Sequence, residues 1–215
     1  MGFGSNRGRL AAAWALLFIT AVAQAAEGDT ARGDPARGQK KFYTCLGCHG
    51  TENYKNAYPS YRVPKLRHQH AAYIIAALTE YKNGERPHAT MHAQAASMTD
   101  KDMLDIATYL QSAEPTKPTT TVVGTTPKQV ETCAACHGIN GSGVDAPLEP
   151  KPPVLAGQHP DYLEYALNSY RNGRRKNAVM GGMAASIQSE ADVEAIAAYF
   201  SRQKSPLATA KHDEP

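Results

Sequence analysis

Thr44-Cys45-Leu46-Gly47-Cys48-His49-Gly50 returns later in the chain as Cys133-Ala134-Ala135-Cys136-His137-Gly138, a second copy of one C-x-x-C-H stretch. This spacing is the attachment signature of c-type haem. Two thiols three residues apart on a first turn of helix can each add to one vinyl group of a single porphyrin. The next residue then lies under the iron, as its proximal ligand. Without the histidines, C-x-x-C would fit equally a dithiol redox site, half of a zinc site or a coincidence. A zinc site expects its two pairs close together, whereas 84 residues separate Cys48 from Cys133. The reading is therefore two covalent haem c groups, one on Cys45 and Cys48 with His49, the other on Cys133 and Cys136 with His137.

Working outward, the two copies share a register. An offset of 89 relates Leu66 to Leu155, Gln69 to Gln158, Tyr73 to Tyr162, Tyr81 to Tyr170, Gly84 to Gly173 and Met91 to Met180. So many matches in one register mean a duplicated domain. Asp34-Pro35 reads as a helix start, with aspartate as N-cap and proline at the first helical position. Gly38 and Phe42 share one face of that helix, suited to close packing on a later one. Tyr73, Ala76, Ala77 and Tyr81, and in the second copy Tyr162, Tyr165, Ala166 and Tyr170, mark a middle helix ending at Gly84 or Gly173. Met103, Ile106, Ala107 and Leu110 mark the last helix, repeated by Val193, Ile196, Ala197 and Phe200. Thr99 with Asp102, and Ser189 with Asp192, are weak capping boxes at its start. The fold class is all-α, two tandem small helical domains, each wrapped around a covalent haem. Domains of about ninety residues are short of apolar core, and a buried porphyrin relieves that shortage.

The boundaries follow from composition. Residues 1–25 read as a secretory signal: Arg7 and Arg9, an apolar run from Leu10 to about Ala23, and the A-x-A site Ala23-Gln24-Ala25. The apolar run is short for a membrane span, although an uncleaved anchor is the alternative. Residues 26–111 form the first domain, 112–127 a linker rich in proline and threonine, 128–204 the second domain, and 205–215 a polar, flexible tail. Export accords with haem attachment outside the cytoplasmic membrane, and all four cysteines are consumed by haem, with no disulfide and no free thiol. Net charge is +3 for the 215 residues, and +1, from 21 basic against 20 acidic residues, once the signal with Arg7 and Arg9 is removed. The basic residues are scattered, which excludes an electrostatic footprint for nucleic acid.

What fills the sixth position of each iron decides the function. Two protein ligands make an electron carrier, and an open site admits small molecules. Small cytochromes use a methionine on a loop some forty residues after the attachment site. Met91 lies 42 residues beyond His49 and Met180 43 beyond His137, at matching places in the repeat. Met98 aligns with Ile187 and Met183 with Gln94, and Met103 sits on an apolar helix face. His88 and His92 flank Met91 as rivals. The second copy has no histidine at either matching position, so both are read as surface residues. Pro64 and Pro153 are assigned to the segment whose backbone carbonyl orients the proximal histidine, against the plainer reading of a proline that shapes a loop. Arg86 and Arg175, five residues before each methionine, are candidate propionate contacts, against the reading of ordinary exposed arginines.

Taken together these residues resemble the dihaem cytochrome c4 family. The resemblance is carried by the two C-x-x-C-H modules, Pro64-Lys65-Leu66 and Pro153-Val154-Leu155-Ala156-Gly157-Gln158, the Asn-Gly-x-Arg ends at Arg86 and Arg175, and the two methionines. It implies two class I cytochrome c domains related by pseudo-twofold symmetry, His/Met haems with propionates turned towards the interface, and periplasmic electron transfer. The implied partners are a donor of the quinol-cytochrome c reductase type and a terminal oxidase or reductase. A monomer is expected, with peripheral association with the membrane left open. Leu66-Arg67-His68-Gln69, where the second copy has Leu155-Ala156-Gly157-Gln158, and the tyrosine-rich loop of Tyr54, Tyr58 and Tyr61 depart from the pattern and put the first haem's surroundings in question. The competing classes are a dihaem enzyme, such as a peroxidase or thiosulfate dehydrogenase, and a cytochrome subunit of a sulfur-oxidising complex. Either enzyme would need an open or unusually ligated iron.

Overall fold

The computed structural model describes residues 1–2, 32–111, 121–143 and 151–211; most of the expected signal, the first part of the linker and the end of the tail lie outside them. The described part of the first domain runs α1 (Pro35–Phe42), a 3-10 turn (Tyr43–Cys45), α2 (Leu46–His49), α3 (Ala71–Asn83), α4 (Ala89–Ala96) and α5 (Asp100–Gln111). The second runs α6 (Val130–His137), α7 (Pro160–Arg171), α8 (Ala178–Ala185) and α9 (Glu190–Ser201). Among the described residues there is no β-strand, only two isolated bridges, and no helix is long and apolar enough to cross a membrane.

Local chemistry sets these ends. Asp34 Oδ1 accepts from the N–H groups of Ala36 and Arg37 at 2.9 and 3.1 Å, and Pro35 occupies the first turn. Thr99 and Asp102 cap α5 reciprocally at 3.0 and 3.1 Å. Gly84 closes α3 in the left-handed conformation that glycine adopts without steric cost. A Cβ on Gly38 would lie 2.0 Å from the Asp105 carbonyl oxygen, so only glycine lets α1 cross α5 this closely. Around that crossing pack Phe42, Met103, Ile106, Ala107, Tyr109 and Leu110, all buried. Val130 on α6 packs against Ile196, Ala197, Tyr199 and Phe200 of α9 in the same way.

The middle helices bury part of the expected set, Ala77, Tyr81 and Tyr162, together with residues outside it. On α3 the buried set is Ile74, Ala77, Leu78 and Tyr81, and Ala76 is exposed. On α7 it is Tyr162, Leu163 and Ser169. On α3 Tyr73 and Tyr81 meet Arg86 of their own domain, and on α7 Tyr162 and Tyr165 meet residues of the other domain. Tyr61 of the first-domain loop stacks on Tyr165 at 4.4 Å and tilts against Tyr162 at 5.7 Å.

Two segments outside the expected domains are bound to them. Residues 121–127, expected as linker, are bound to the residues that follow α9: the Val123 N–H donates to Gln203 Oε1 at 2.8 Å, and Arg202 Nη2 donates to the Thr125 carbonyl at 2.6 Å. Val122 packs on the second core. An extended segment can be fixed by side chains that satisfy its backbone, which composition does not reveal. The tail is likewise no free end between residues 205 and 211. Leu207 packs with Val154 and Ala156, and Ala210 joins the core of the first domain. Arg67 and Ala208 exchange backbone hydrogen bonds at 3.0 and 3.1 Å, so the chain end returns to the first domain. Small apolar residues spaced among polar ones were enough to bury it.

Two haem-binding sites and the polar seam between them

In the first domain Cys45 ends the 3-10 turn and Cys48 and His49 lie on α2, so one continuous helical run presents both thiols and the imidazole. All three line a cleft of about 1030 Å³, counted with its open mouth. Met91 and Met98 line it as well, with an apolar wall that includes Leu66, Ile74, Leu78 and Leu110. In the second domain α6 alone carries Cys133, Cys136 and His137, and Met180 stands on α8. No disulfide joins the four cysteines.

Each histidine meets a backbone carbonyl. Nδ1 of His49 lies 3.0 Å from the Pro64 carbonyl oxygen, and Nδ1 of His137 lies 3.1 Å from that of Pro153. A carbonyl can only accept, so Nδ1 carries the proton in each ring and Nε2 keeps its lone pair. Burial pushes His49 down to about 4, the Pro64 hydrogen bond opposing it, and lowers His137 in the same way. Both rings are therefore neutral near pH 7, the state in which imidazole binds a metal.

Met91 and Met180 stand in the first turns of α4 and α8, not on loops as the sequence suggested. His88 caps α4, its Nδ1 accepting from the Met91 N–H at 3.3 Å. Asn177 does the same for Met180 at 2.9 Å. His88 is thus half-buried rather than a surface residue, and its side chain does the task of an asparagine. His92 is exposed and its Nδ1 donates to the Tyr81 carbonyl at 2.8 Å.

Arg86 and Arg175 are not exposed; they retain only 3% and 4% of their accessible surface. Nη2 of Arg86 donates to the hydroxyls of Tyr73 and Tyr162 at 3.1 and 2.6 Å. Its Nε and Nη1 have no hydrogen-bond partner, and the nearest carboxylate, that of Glu80, stands 3.7 Å from Nη1. Arg175 lies over the rings of Tyr162, Tyr165 and Tyr170 at 5.5 to 5.6 Å. Burial would raise the Tyr162 hydroxyl, but the two guanidiniums outweigh it and draw it down to about 8. Two buried cations with phenols for company call for an anion.

These residues fit a haem. An apolar slot, two thiols, a neutral imidazole and a thioether would hold the macrocycle, and orphaned guanidinium N–H groups beside Tyr73 and Tyr162 suit its carboxylates. The sequence did not foresee the seam that joins the sites. Arg62 donates to Asp161 from its backbone and from Nε at 3.0 to 3.2 Å, and Gln69 and Gln158 cross between domains. The offset-89 match of the two glutamines was the available signal; nothing in one copy alone marks them.

A cytochrome c family model matches residues 35–114 and 127–204. Cytochrome c4 of Azotobacter vinelandii is 31% identical over 213 aligned residues, covering 86% of this chain and 93% of that protein. The thiosulfate dehydrogenase electron acceptor of Stutzerimonas stutzeri (strain A1501) is 30% identical, covering 86% and 90%. The crystal structure of reduced recombinant cytochrome c4 from Pseudomonas stutzeri superposes with a TM-score of 0.60 at 30% identity, covering 80% of this chain and all of that one. With both C-x-x-C-H modules inside matched domains, the chain belongs to the cytochrome c family, as a dihaem electron carrier of the cytochrome c4 type.

Proposed function

We propose that His49 with Met91 and His137 with Met180 ligate the two irons. The chain then shuttles electrons outside the cytoplasmic membrane, between a donor of the quinol-cytochrome c reductase type and a terminal oxidase or reductase. The observation that carries the ligation is the paired geometry of His49 on Pro64 and His137 on Pro153, with a capped methionine at the same place in each repeat. When bound, the haem supplies one-electron chemistry. The chain's own part is to hold each Nδ1 proton on a carbonyl, so that Nε2 is aimed and basic. It also surrounds the porphyrin with apolar walls and balances propionate charge with Arg86 and Arg175. Thioether ligation raises the potential, in keeping with a late position in a respiratory chain. Export accords with the signal-like residues 1–25.

The relative that serves thiosulfate dehydrogenase favours a second reading, in which the electrons come from oxidation of that sulfur compound. Carbon monoxide and rapid mixing test both. The reduced protein is expected to bind carbon monoxide slowly or not at all at neutral pH, and to show negligible peroxidase or thiosulfate-oxidising turnover alone. Rapid stoichiometric carbon monoxide binding at one haem would reject the carrier with two closed irons. Prompt reduction by a thiosulfate dehydrogenase, with none by a quinol-oxidising complex, would select the second donor.

A further inference from the structure

Gln69 and Gln158 are almost fully buried, at 2% and 3% exposure, and each reaches into the other domain. Gln158 accepts from the Lys65 N–H at 3.0 Å and donates to the Lys65 carbonyl at 3.1 Å. Gln69 accepts from the Val154 N–H at 2.8 Å and donates to the Val154 carbonyl at 3.0 Å. The Lys65 N–H belongs to the same peptide group as the Pro64 carbonyl, the acceptor for His49. The Val154 N–H shares its peptide with the Pro153 carbonyl, the acceptor for His137. Each proximal imidazole therefore opens a chain of hydrogen bonds, ring N–H to peptide to amide, that ends in the opposite domain.

We propose that Gln69 and Gln158 are crossed positioning residues, each polarising the peptide that orients the other domain's proximal histidine, so that docking of the domains sets the donor strength of both imidazoles. The inference rests on His49 and His137 being the iron ligands. A peptide whose N–H is engaged is a better acceptor at its carbonyl, and such chains strengthen one another where solvent is excluded. A better acceptor at Nδ1 makes Nε2 more basic, which favours Fe(III). Loss of the glutamine should then raise a potential, and the potential that moves should belong to the other domain. Duplication built the arrangement twice, since Lys65 and Val154 are themselves 89 residues apart.

The test is a redox titration of the dihaem protein and its Gln158→Leu and Gln69→Leu variants, with the haems resolved by their NMR signals. In Gln158→Leu the first-domain haem should change its Fe(II)/Fe(III) ratio about two- to tenfold towards Fe(II) at fixed ambient potential, the second-domain haem staying put. Gln69→Leu should give the reverse pattern. The Nδ1–H resonance of His49 should move in Gln158→Leu, and that of His137 in Gln69→Leu. Arg62→Ala weakens the same interface without touching the glutamines and should give neither crossed shift. Shifts confined to the mutated domain, equal shifts of both haems in all three variants, or no shift would overturn the proposal. A wild-type protein without thioether-to-iron charge-transfer absorption would instead reject the ligation underneath it.

Discussion

The guanidinium of Arg86 donates to the hydroxyl of Tyr162 across the domain boundary at 2.6 Å. Arg86 belongs to the first repeat and Tyr162 to the second, so the electrostatics of the first haem site are completed by the other domain. Tyr162 is itself part of the cleft wall in the first domain.

Arg86→Gln removes a buried cation from that seam. Whether the guanidinium acts directly on the iron or through a propionate, its loss leaves the surroundings more negative and favours Fe(III). At an effective dielectric near 20 and on the order of 10 Å, one charge is worth about 1–2 kcal/mol, so the first-domain potential should fall by the equivalent of roughly tenfold in the Fe(III)/Fe(II) ratio. Potentiometry with the haems resolved checks this, and an unchanged or raised potential would remove Arg86 from the propionate site.

The seam also shows where sequence reading stops. The cysteines, histidines and methionines were legible as a repeated set because the same residue types recur at matching places in the two copies. The α5 and α9 faces were legible because one side of each helix is core, and Met103, Ile106, Ala107 and Leu110, with Val193, Ile196, Ala197 and Phe200, are buried as their period requires. On α3 and α7 the period was read only in part: Ala77, Tyr81 and Tyr162 are buried as expected, and Ile74, Leu78 and Leu163 are buried beside them. For Arg86 and Arg175 the sequence left propionate contact and ordinary exposure both open, because burial of a cation is set by what the rest of the fold brings to it. The Leu207 and Ala210 contacts were illegible for the same reason: their partners lie in another part of the chain.

Gly38→Ala should destabilise the protein by about 1–3 kcal/mol, the usual cost of forcing extra volume into a packed contact. The Asp105 carbonyl that a Cβ would strike is backbone and cannot rotate away. Thermal unfolding of the haem-loaded protein measures it. A melting temperature equal to wild type would show that α1 can slide along α5 without cost.

Acid should weaken the first domain in part through Asp102. The Lys41 ammonium 2.8 Å away and the Thr99 N–H and hydroxyl hold its carboxyl at about 2, below the ordinary 3.8. A group depressed in the folded state stabilises above its unfolded pKa, and that contribution is lost as pH falls through the folded one. Wild type should therefore exceed Asp102→Asn in stability at pH 6, and the gap should close between about pH 4 and pH 2. Denaturant titrations at stepped pH would show it, and a gap that persists at pH 2 would assign it to something other than the charge.

His88→Asn should be nearly silent, because Asn177 performs the same cap for Met180 in the second copy. His88→Ala loses the acceptor for the Met91 N–H and should cost about 1 kcal/mol. Equal losses in both variants would mean that the imidazole does more than cap the helix.

Coordination itself is tested at the methionines. Thioether sulfur bound to low-spin Fe(III) gives a weak charge-transfer absorption near the red end of the visible spectrum, and two such irons contribute two equal shares. Met91→Ala and Met180→Ala should each remove about half of it, and each should open one haem to carbon monoxide. His92→Ala should leave it intact, since that ring is exposed and its Nδ1 proton is committed to the Tyr81 carbonyl. His88→Ala should leave it in place as well, because the Nδ1 of that ring is turned to the Met91 N–H and its Nε2 lies 3.4 Å from the Asn56 amide. A wild-type band of only one share that Met91→Ala leaves unchanged, with replacement of either histidine opening the first haem to carbon monoxide instead, would transfer the sixth ligand of the first iron from sulfur to imidazole. Bis-imidazole ligation favours Fe(III), so that outcome would also place the first haem at the lower potential.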